Sequence, residues 1–237
     1  MPPVIINDPG HGGTDPGAVG LFEEEDLTLD IALYRMARFT ALGIPSTITR
    51  EGDVTVEPAA RAALVRNSGA RLCISDHINA GGGIGAEVYK SIYSKSPWAD
   101  YVIQALVEAG QESRGVKTRA LPSNPKKDYY FMHRETGAVE TIIIEYGFIE
   151  REAQELKERW RDYAEASVKG TCRYLGVPYS PPAPKIDPLE EAVKVLQGGG
   201  IISSPEYWLE NCVPGGLVKG EYAAILLQKM AAKIRRN

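Results

Sequence analysis

Residues 141–145 read Thr-Ile-Ile-Ile-Glu, an apolar β-branched run with no polar alternation. A strand of this kind is buried on both faces. It therefore needs a sheet with helices packed above and below, which narrows the choice to layered α/β architectures. The rest of the first 177 residues fits that demand. Short apolar runs at 4–6, 44–49, 71–75 and 86–93 read as further strands. Between them lie helical stretches. One covers 26–41, with Leu29, Leu33, Met36 and Thr40 on one face and Gly43 as its stop. Another starts at Pro58, carries Arg61, Leu64 and Val65, and closes near Gly69. A third follows Ser96-Pro97 through Trp98, Val102, Ala105, Leu106 and Ala109 and ends at Gly115. A long amphipathic helix fills 150–175, stopped by Gly176 and Pro178. Strands alternating with helices predict an α/β fold with a largely parallel sheet, whose ligands gather at the carboxyl ends of the strands.

The chain has 237 residues and 43% hydrophobic content, enough for one ordinary core and a small accessory piece. The division falls at a proline-rich stretch, PYSPPAPKIDP, at 178–188, which reads as a stiff extended linker. The expected organisation is a catalytic-sized domain at 1–177, a linker at 178–186 and a small helical module at 187–237. In that module Asp187-Pro188-Leu189-Glu190 reads as a helix start, GGG at 198–200 as a break, and Ser204-Pro205 as a second start. Leu227, Met230 and Ile234 stripe a last helix. The net charge of −4 gives no electrostatic case for nucleic acid. No apolar run reaches a membrane span. Cys73, Cys172 and Cys212 lie far apart, which argues against a disulfide framework or a cysteine metal site. The start, MPPVIINDPG, has no secretory pattern, so the expectation is a protein made in the cytoplasm without a signal of its own.

The chemistry concentrates in few residues. The chain has three histidines: His11, His77 and His133. His11 sits in DPGHGGTDPGAVG at 8–20, after the first strand. His77 follows the strand at 71–75, and Glu145 closes the strand at 141–145. If these strands are parallel neighbours, all three side chains emerge at one sheet edge. The acidic run Glu23-Glu24-Glu25 can fold over the same edge. Two imidazoles, a carboxylate and one open position make a catalytic zinc set, and a second carboxylate can act as general base. Asp8 or Asp76 is placed to hold the second ring nitrogen of a ligand histidine. His133, in YYFMHRET, reads as a surface or substrate-edge residue. The glycine loop has neither a Walker pattern nor GxGxxG, so phosphate binding has little support.

Four separated blocks bring a known family into view. DPGHGGTDPGAVG at 8–20, EEDLTLDIA at 24–32, SDHINA at 75–80 and IIIEYGFIE at 142–150 resemble, in order and spacing, the zinc-dependent N-acetylmuramoyl-L-alanine amidases of the amidase family 3 type. The resemblance covers roughly residues 3–176. It implies a twisted mixed sheet with helices on both faces. It also implies that His11, Glu24 and His77 hold one zinc ion and that Glu145 is the catalytic carboxylate. The register favours Glu24 over Glu23 and Glu25, because Asp26 and Leu29 then fall in place. The implied reaction is hydrolysis of the amide between N-acetylmuramic acid and L-alanine of the peptidoglycan stem peptide. Arg50 and Arg61 match family positions that support the fold. The chain departs from the pattern at Glu25, where lysine is common, and at Asp76 and Ile78 beside His77. With no leader expected, the resemblance points to a phage endolysin or a sporulation autolysin acting on the cell wall after release. The module at 187–237 is then expected to contact wall polymer. Two other readings stand beside this one. The first is a zinc carboxypeptidase-like hydrolase of wall peptides. The second is a non-catalytic wall-binding protein whose structural zinc takes its fourth ligand from Asp8 or Asp76.

Overall fold

The computed structural model describes residues 4–182, 188–213 and 215–234. The elements run β1 (Ile5–Pro9), α1 (Glu24–Ala41), β2 (Ser46–Ile48), α2 (Pro58–Asn67), β3 (Leu72–Asn79), β4 (Ala86–Lys90), α3 (Trp98–Glu108) and β5 (Ser113–Lys117). They continue with β6 (Ala120–Leu121), β7 (Asn124–Asp128), α4 (Phe131–Arg134), β8 (Glu140–Phe148) and α5 (Ile149–Leu175). Last come α6 (Pro188–Gly198), α7 (Pro205–Asn211) and α8 (Gly220–Ile234). The contacts divide the chain into two compact units, Met1–Pro181 and Pro182–Asn237. Among the described residues no helix is long and apolar enough to cross a membrane.

The first unit is built on a six-stranded sheet of order β2-β1-β3-β8-β4-β5. The first four strands are parallel, and β4 runs antiparallel to β8 with β5 parallel beside it. Thr-Ile-Ile-Ile-Glu lies in β8, near the centre, with Ile142, Ile143 and Ile144 all buried. Helices cover both faces, as that run demands. On one face α1, α3 and α5 pack Leu27, Ile31, Phe39, Trp98, Leu106 and Leu156 against Ile5, Ile74, Ile142 and Ile144. On the other, Val65 of α2 and Met132 of α4 meet Ile6, Cys73 and Ile143. Alternate residues of β3 and β8 thus serve opposite cores, as the strand period of two requires.

Several boundaries differ from the sequence reading, each for a local reason. Strand β1 continues through Asn7 and Asp8, fully buried, because arginines from two helices satisfy their side chains. Strand β3 likewise runs on through Asp76 and His77 to Asn79. Helix α1 turns a different face inward: Leu27, Ile31, Arg35 and Phe39 are buried, while Thr40 is exposed. The misleading stripe arises because the inner face carries an arginine. Helix α3 ends at Glu108, and the chain turns away at Gly110, whose φ of 93° favours glycine; Gly115 lies inside β5. Gly176 caps α5 at φ 66° as expected.

The second unit has a small core of Val193, Ile202 and Trp208, with Leu226 packed against it. The expected stripe on α8 faces outward: Leu227 is 66% exposed and Met230 36%. The proposed helix-start residue Asp187 lies outside the described residues, as does the side chain of Ile234.

Candidate metal centre

The site begins where β1 stops. His11 adopts φ 60°, a left-handed conformation unusual for a side chain with a Cβ. Such strain persists only where the surroundings impose it. Two arginines do so by gripping three successive carbonyls. Arg61 donates to the oxygens of Pro9 and His11, both at 2.6 Å, and Arg50 donates to that of Gly10 at 2.9 Å. Arg61 also pairs with Asp8 at 2.8 Å. These contacts give physical content to the fold-supporting role expected of Arg50 and Arg61. The glycines that follow are needed sterically. A Cβ on Gly17, at φ 68°, would lie 2.6 Å from Glu24 Oε2 and 2.7 Å from His11 Cδ2.

Glu24 opens α1 and is buried between the two histidines. Its Oε1 lies 3.2 Å from His11 Nε2 and 3.0 Å from His77 Nδ1. The same oxygen accepts the Ile78 amide at 2.8 Å, and Oε2 accepts the Ala18 amide at 2.8 Å. The imidazole rings stand edge to face at 5.0 Å. One donor atom from each of His11, Glu24 and His77 falls within 4.8 Å of the others. Donors about 2.0–2.1 Å from a tetrahedral ion lie about 3.3 Å apart, so the two contacts to Glu24 already sit near metal-ligand spacing. The three residues fit a divalent cation and can hold one.

Charge in the site is tightly linked. Burial alone would raise the Glu24 carboxyl, but the two imidazoles outweigh it and hold Glu24 far below the usual carboxylate range. Burial disfavours the charged form of His77, yet the Glu24 hydrogen bond and charge lift it to about 9. His11 is raised for the same reasons. One carboxylate that favours the charge of both imidazoles, which repel each other, forms a ready cation cradle, since a single metal ion can replace the two imidazole protons.

Glu145 is the Cα neighbour of His77 across the β3–β8 ladder and of Glu87 across the β8–β4 ladder. In paired strands such neighbours project from the same face. Burial, with the charges of Glu24 and Glu87 adding to it and those of His77 and His11 opposing, raises Glu145 to about 7. A carboxylate poised near neutrality beside a cation site is suited to proton transfer. Residues of α4 line the site: Phe131 and Met132 join His11, Asp15, Ser75 and His77 around a cavity of about 170 Å³.

The structure therefore gathers His11, Glu24, His77 and Glu145, and it separates the alternatives. Glu23 is exposed. Glu25 is buried, and that burial, with the hydrogen bond and charge of Asp53, raises its carboxyl. Neither Asp8 nor Asp76 touches a ligand histidine, contrary to expectation. Asp8 is held by Arg61, Thr49 and Ser75. Asp76 points through the opposite face of the sheet. There it takes a two-pronged bond from fully buried Arg35, both arms at 2.6 Å, and one from the Tyr146 hydroxyl at 3.0 Å. Adjacent strand residues face opposite ways, so Asp76 next to His77 could not have served it. The structural-zinc reading thereby loses its fourth ligand. His133 stands apart on α4, edge-on to Tyr130, with its Nε2 buried and without a hydrogen-bond partner.

Asp15 was missed by the sequence reading. Its Oδ2 lies 2.9 Å from His11 Nδ1, where it can accept that nitrogen's proton and leave Nε2, which faces Glu24, as the ring atom available to a cation. Its signal was present: an acid four residues after a histidine, inside a glycine loop that folds back. Arg35 was also missed, since an arginine inside a helix's buried face carries no signature without its partner.

An α/β sheet that gathers two histidines and a glutamate from its strands and their exits beside a second glutamate from the start of α1 defines a metal-site α/β architecture. Residues 4–175 match the family profile described as N-acetylmuramoyl-L-alanine amidase, amidase family 3. The chain belongs to this family. It is 30% identical over 174 residues to the sporulation-specific N-acetylmuramoyl-L-alanine amidase of Bacillus subtilis, covering 72% of this chain and 66% of that protein. It is 30% identical over 162 residues to the amidase CwlM of Bacillus licheniformis, covering 65% and 60%. The chain thus spans just under two thirds of the length of these relatives. The solved N-acetylmuramoyl-L-alanine amidase of Clostridium difficile 630 superposes with a TM-score of 0.63 at 28% identity, over 73% of this chain and 96% of that one.

Proposed function

We propose that the chain is a zinc-dependent peptidoglycan hydrolase that cleaves the amide between N-acetylmuramic acid and L-alanine. The observation that carries this is Glu24 Oε1 poised between two imidazoles, with Glu145 beside them, in a chain of this family. His11, Glu24 and His77 hold the ion. A zinc ion held there would supply a Lewis acid for the amide carbonyl and would make water more acidic, toward a pKa of ~7. Asp15 fixes the His11 tautomer. Glu145 takes a proton from the attacking water and delivers it to the leaving amine of L-alanine. Burial, which raises this carboxyl above the usual carboxylate range, favours its carrying the proton between the two halves of that transfer. Mass spectrometry of digested muropeptides tests this. Free lactyl-muramic acid with intact L-alanine-headed peptides is the expected product. Loss of a C-terminal amino acid would instead mark a carboxypeptidase.

The division of contacts at Pro181–Pro182 supports a catalytic domain followed by a separate C-terminal module, although Tyr179 and Ser180, expected in a linker at 178–186, pack on the first unit. Apolar side chains left outside the module's small core, Leu227 among them, support contact with wall polymer. A lysin of the endolysin type, acting on the wall after release and causing cytolysis, fits a hydrolase carrying such a module. The test is sacculus binding by a chain ending at residue 181, which is expected to weaken. Unchanged binding would remove the targeting role.

A further inference from the structure

Beyond Glu145, the same sheet face carries a second charged cluster that the proposed reaction does not use. Its centre is Glu87 on β4, 2% exposed and the Cα neighbour of Glu145. Glu87 Oε1 accepts Arg114 Nε and Lys117 Nζ, both at 2.5 Å. Its Oε2 accepts the Tyr89 hydroxyl at 2.8 Å. Arg114 and Lys117 come from β5, the edge strand, where Lys117 pairs with Tyr89. Burial favours a neutral Glu87, but its two cations and Tyr89 hold it below the usual range, so it stays charged. One carboxylate therefore pairs directly with two cations, while the charge of Glu152 also acts on Arg114. Neither cation has a second carboxylate partner among the described residues. Their side chains are 43% and 32% exposed, Arg114 with its guanidinium over the Phe148 ring, so both cations are open to a ligand.

We propose that Arg114 and Lys117, fixed by buried Glu87, form a subsite for the first free carboxylate of the stem peptide. This rests on the amidase reading of the adjacent site. Strands lie about 4.8 Å apart, so β5 is about 10 Å from β8. An extended peptide advances about 3.3–3.6 Å per residue, and long cationic side chains reach back over part of the gap. A carboxylate on the second residue beyond the scissile amide falls within that span. A stem peptide whose second residue is a glutamate linked through its side chain presents its α-carboxylate there. Its α-carboxamide counterpart presents no charge. The subsite therefore discriminates wall peptides by amidation at this position. Guanidinium and ammonium groups bind carboxylate by charge-assisted hydrogen bonds, which a neutral amide cannot match.

The test is direct binding of two soluble peptides to the full-length protein by calorimetry. The probes are L-Ala-γ-D-Glu-L-Lys and the same peptide with the glutamate α-carboxyl amidated. The wild type is expected to prefer the carboxylate peptide about tenfold or more, the worth of one charge-assisted hydrogen bond. R114Q and K117Q are each expected to bring that preference within about threefold, leaving affinity for the amide peptide unchanged. Each variant leaves Glu87 one cation and Tyr89, and thermal melts check that the fold survives. K117R is expected to keep the preference, which a merely structural ion pair would not affect. Equal binding of the two peptides, no binding of either, or a preference unchanged in both glutamine variants would overturn the subsite. Binding is read independently of turnover. Selective binding without muropeptide cleavage would sink the amidase reading alone, and cleavage without selectivity would sink the subsite alone.

Discussion

Gly10→Ala is a one-methyl perturbation aimed at the cation cradle. A Cβ at this position would lie 2.5 Å from His77 Cε1, 2.8 Å from His77 Nδ1 and 2.6 Å from the Asp76 carbonyl oxygen. Ordinary contact begins at 3.4 Å, so the ring must retreat by about 0.9 Å. The strand cannot carry it away. Gly10 donates its amide to that same Asp76 oxygen at 3.0 Å, and Asp76 is clamped from below by Arg35. The imidazole must therefore swing within the site. Metal–ligand distances are held to about 0.2 Å, so a shift of this size breaks one of three bonds. Zinc affinity should fall at least as far as when a supporting residue is lost, about 10–100-fold. The overpacking itself should cost about 1–3 kcal/mol. In a domain of this size each kcal/mol lowers Tm by about 2–4 °C, measured on the metal-free protein. Competition with a chromophoric chelator reads the affinity, and calorimetry reads the melting temperature. Zinc affinity within twofold of wild type would show that His77 is not held where a ligand must be, and would refute the geometry.

Glu145→Gln should retain zinc and the fold while kcat for muropeptide cleavage falls by about 10²–10⁴-fold, the usual scale of general-base loss; near-normal turnover would remove Glu145 from the reaction. Arg35→Met strands the buried Asp76 charge and should cost about 3–5 kcal/mol in denaturant unfolding, whereas R35M/D76L should recover most of that loss. A cost below about 1 kcal/mol for R35M would show that the pair is not buried as described. His133, depressed by burial to about 4 against 6.5 when unfolded, adds an acid sensitivity. Because its folded value is lowered, the unfolded chain binds its proton first. Stability is thus complete above pH 6.5 and drains away as pH falls toward 4. The drop is about 3 kcal/mol at most. His133→Leu should flatten that pH window relative to wild type, and an unchanged pH profile would contradict the burial of its ring.

Much of this was legible in the residues themselves. Thr-Ile-Ile-Ile-Glu required a covered sheet. His11 and His77 each followed an expected strand and Glu145 closed one, so parallel pairing alone brought them to one edge. Glu24 was separable from Glu23 and Glu25 only by family register, because all three open the same helix and differ by rotation about its axis. What stayed hidden were buried charges that make sense only with their partners. Arg35 broke the apolar stripe of its helix and turned the expected face outward. Asp76 looked like a neighbour of His77 in sequence, yet the strand period sends it through the sheet. Asp15 and the cluster of Glu87, Arg114 and Lys117 depend on loop folding and on the order of β8, β4 and β5, which no local pattern fixes. The turned-out stripe of α8 has a simpler cause. In so small a module the core has room for Leu226 but not for Leu227 and Met230.

Metal content is the most direct test of the cradle. Inductively coupled plasma analysis of the purified chain, dialysed against zinc and then buffer, should find one zinc per molecule. His77→Ala, folded by circular dichroism, should retain far less. A wild-type protein that keeps no zinc, or a His77→Ala variant that keeps a full equivalent, would contradict a site built from His11, Glu24 and His77.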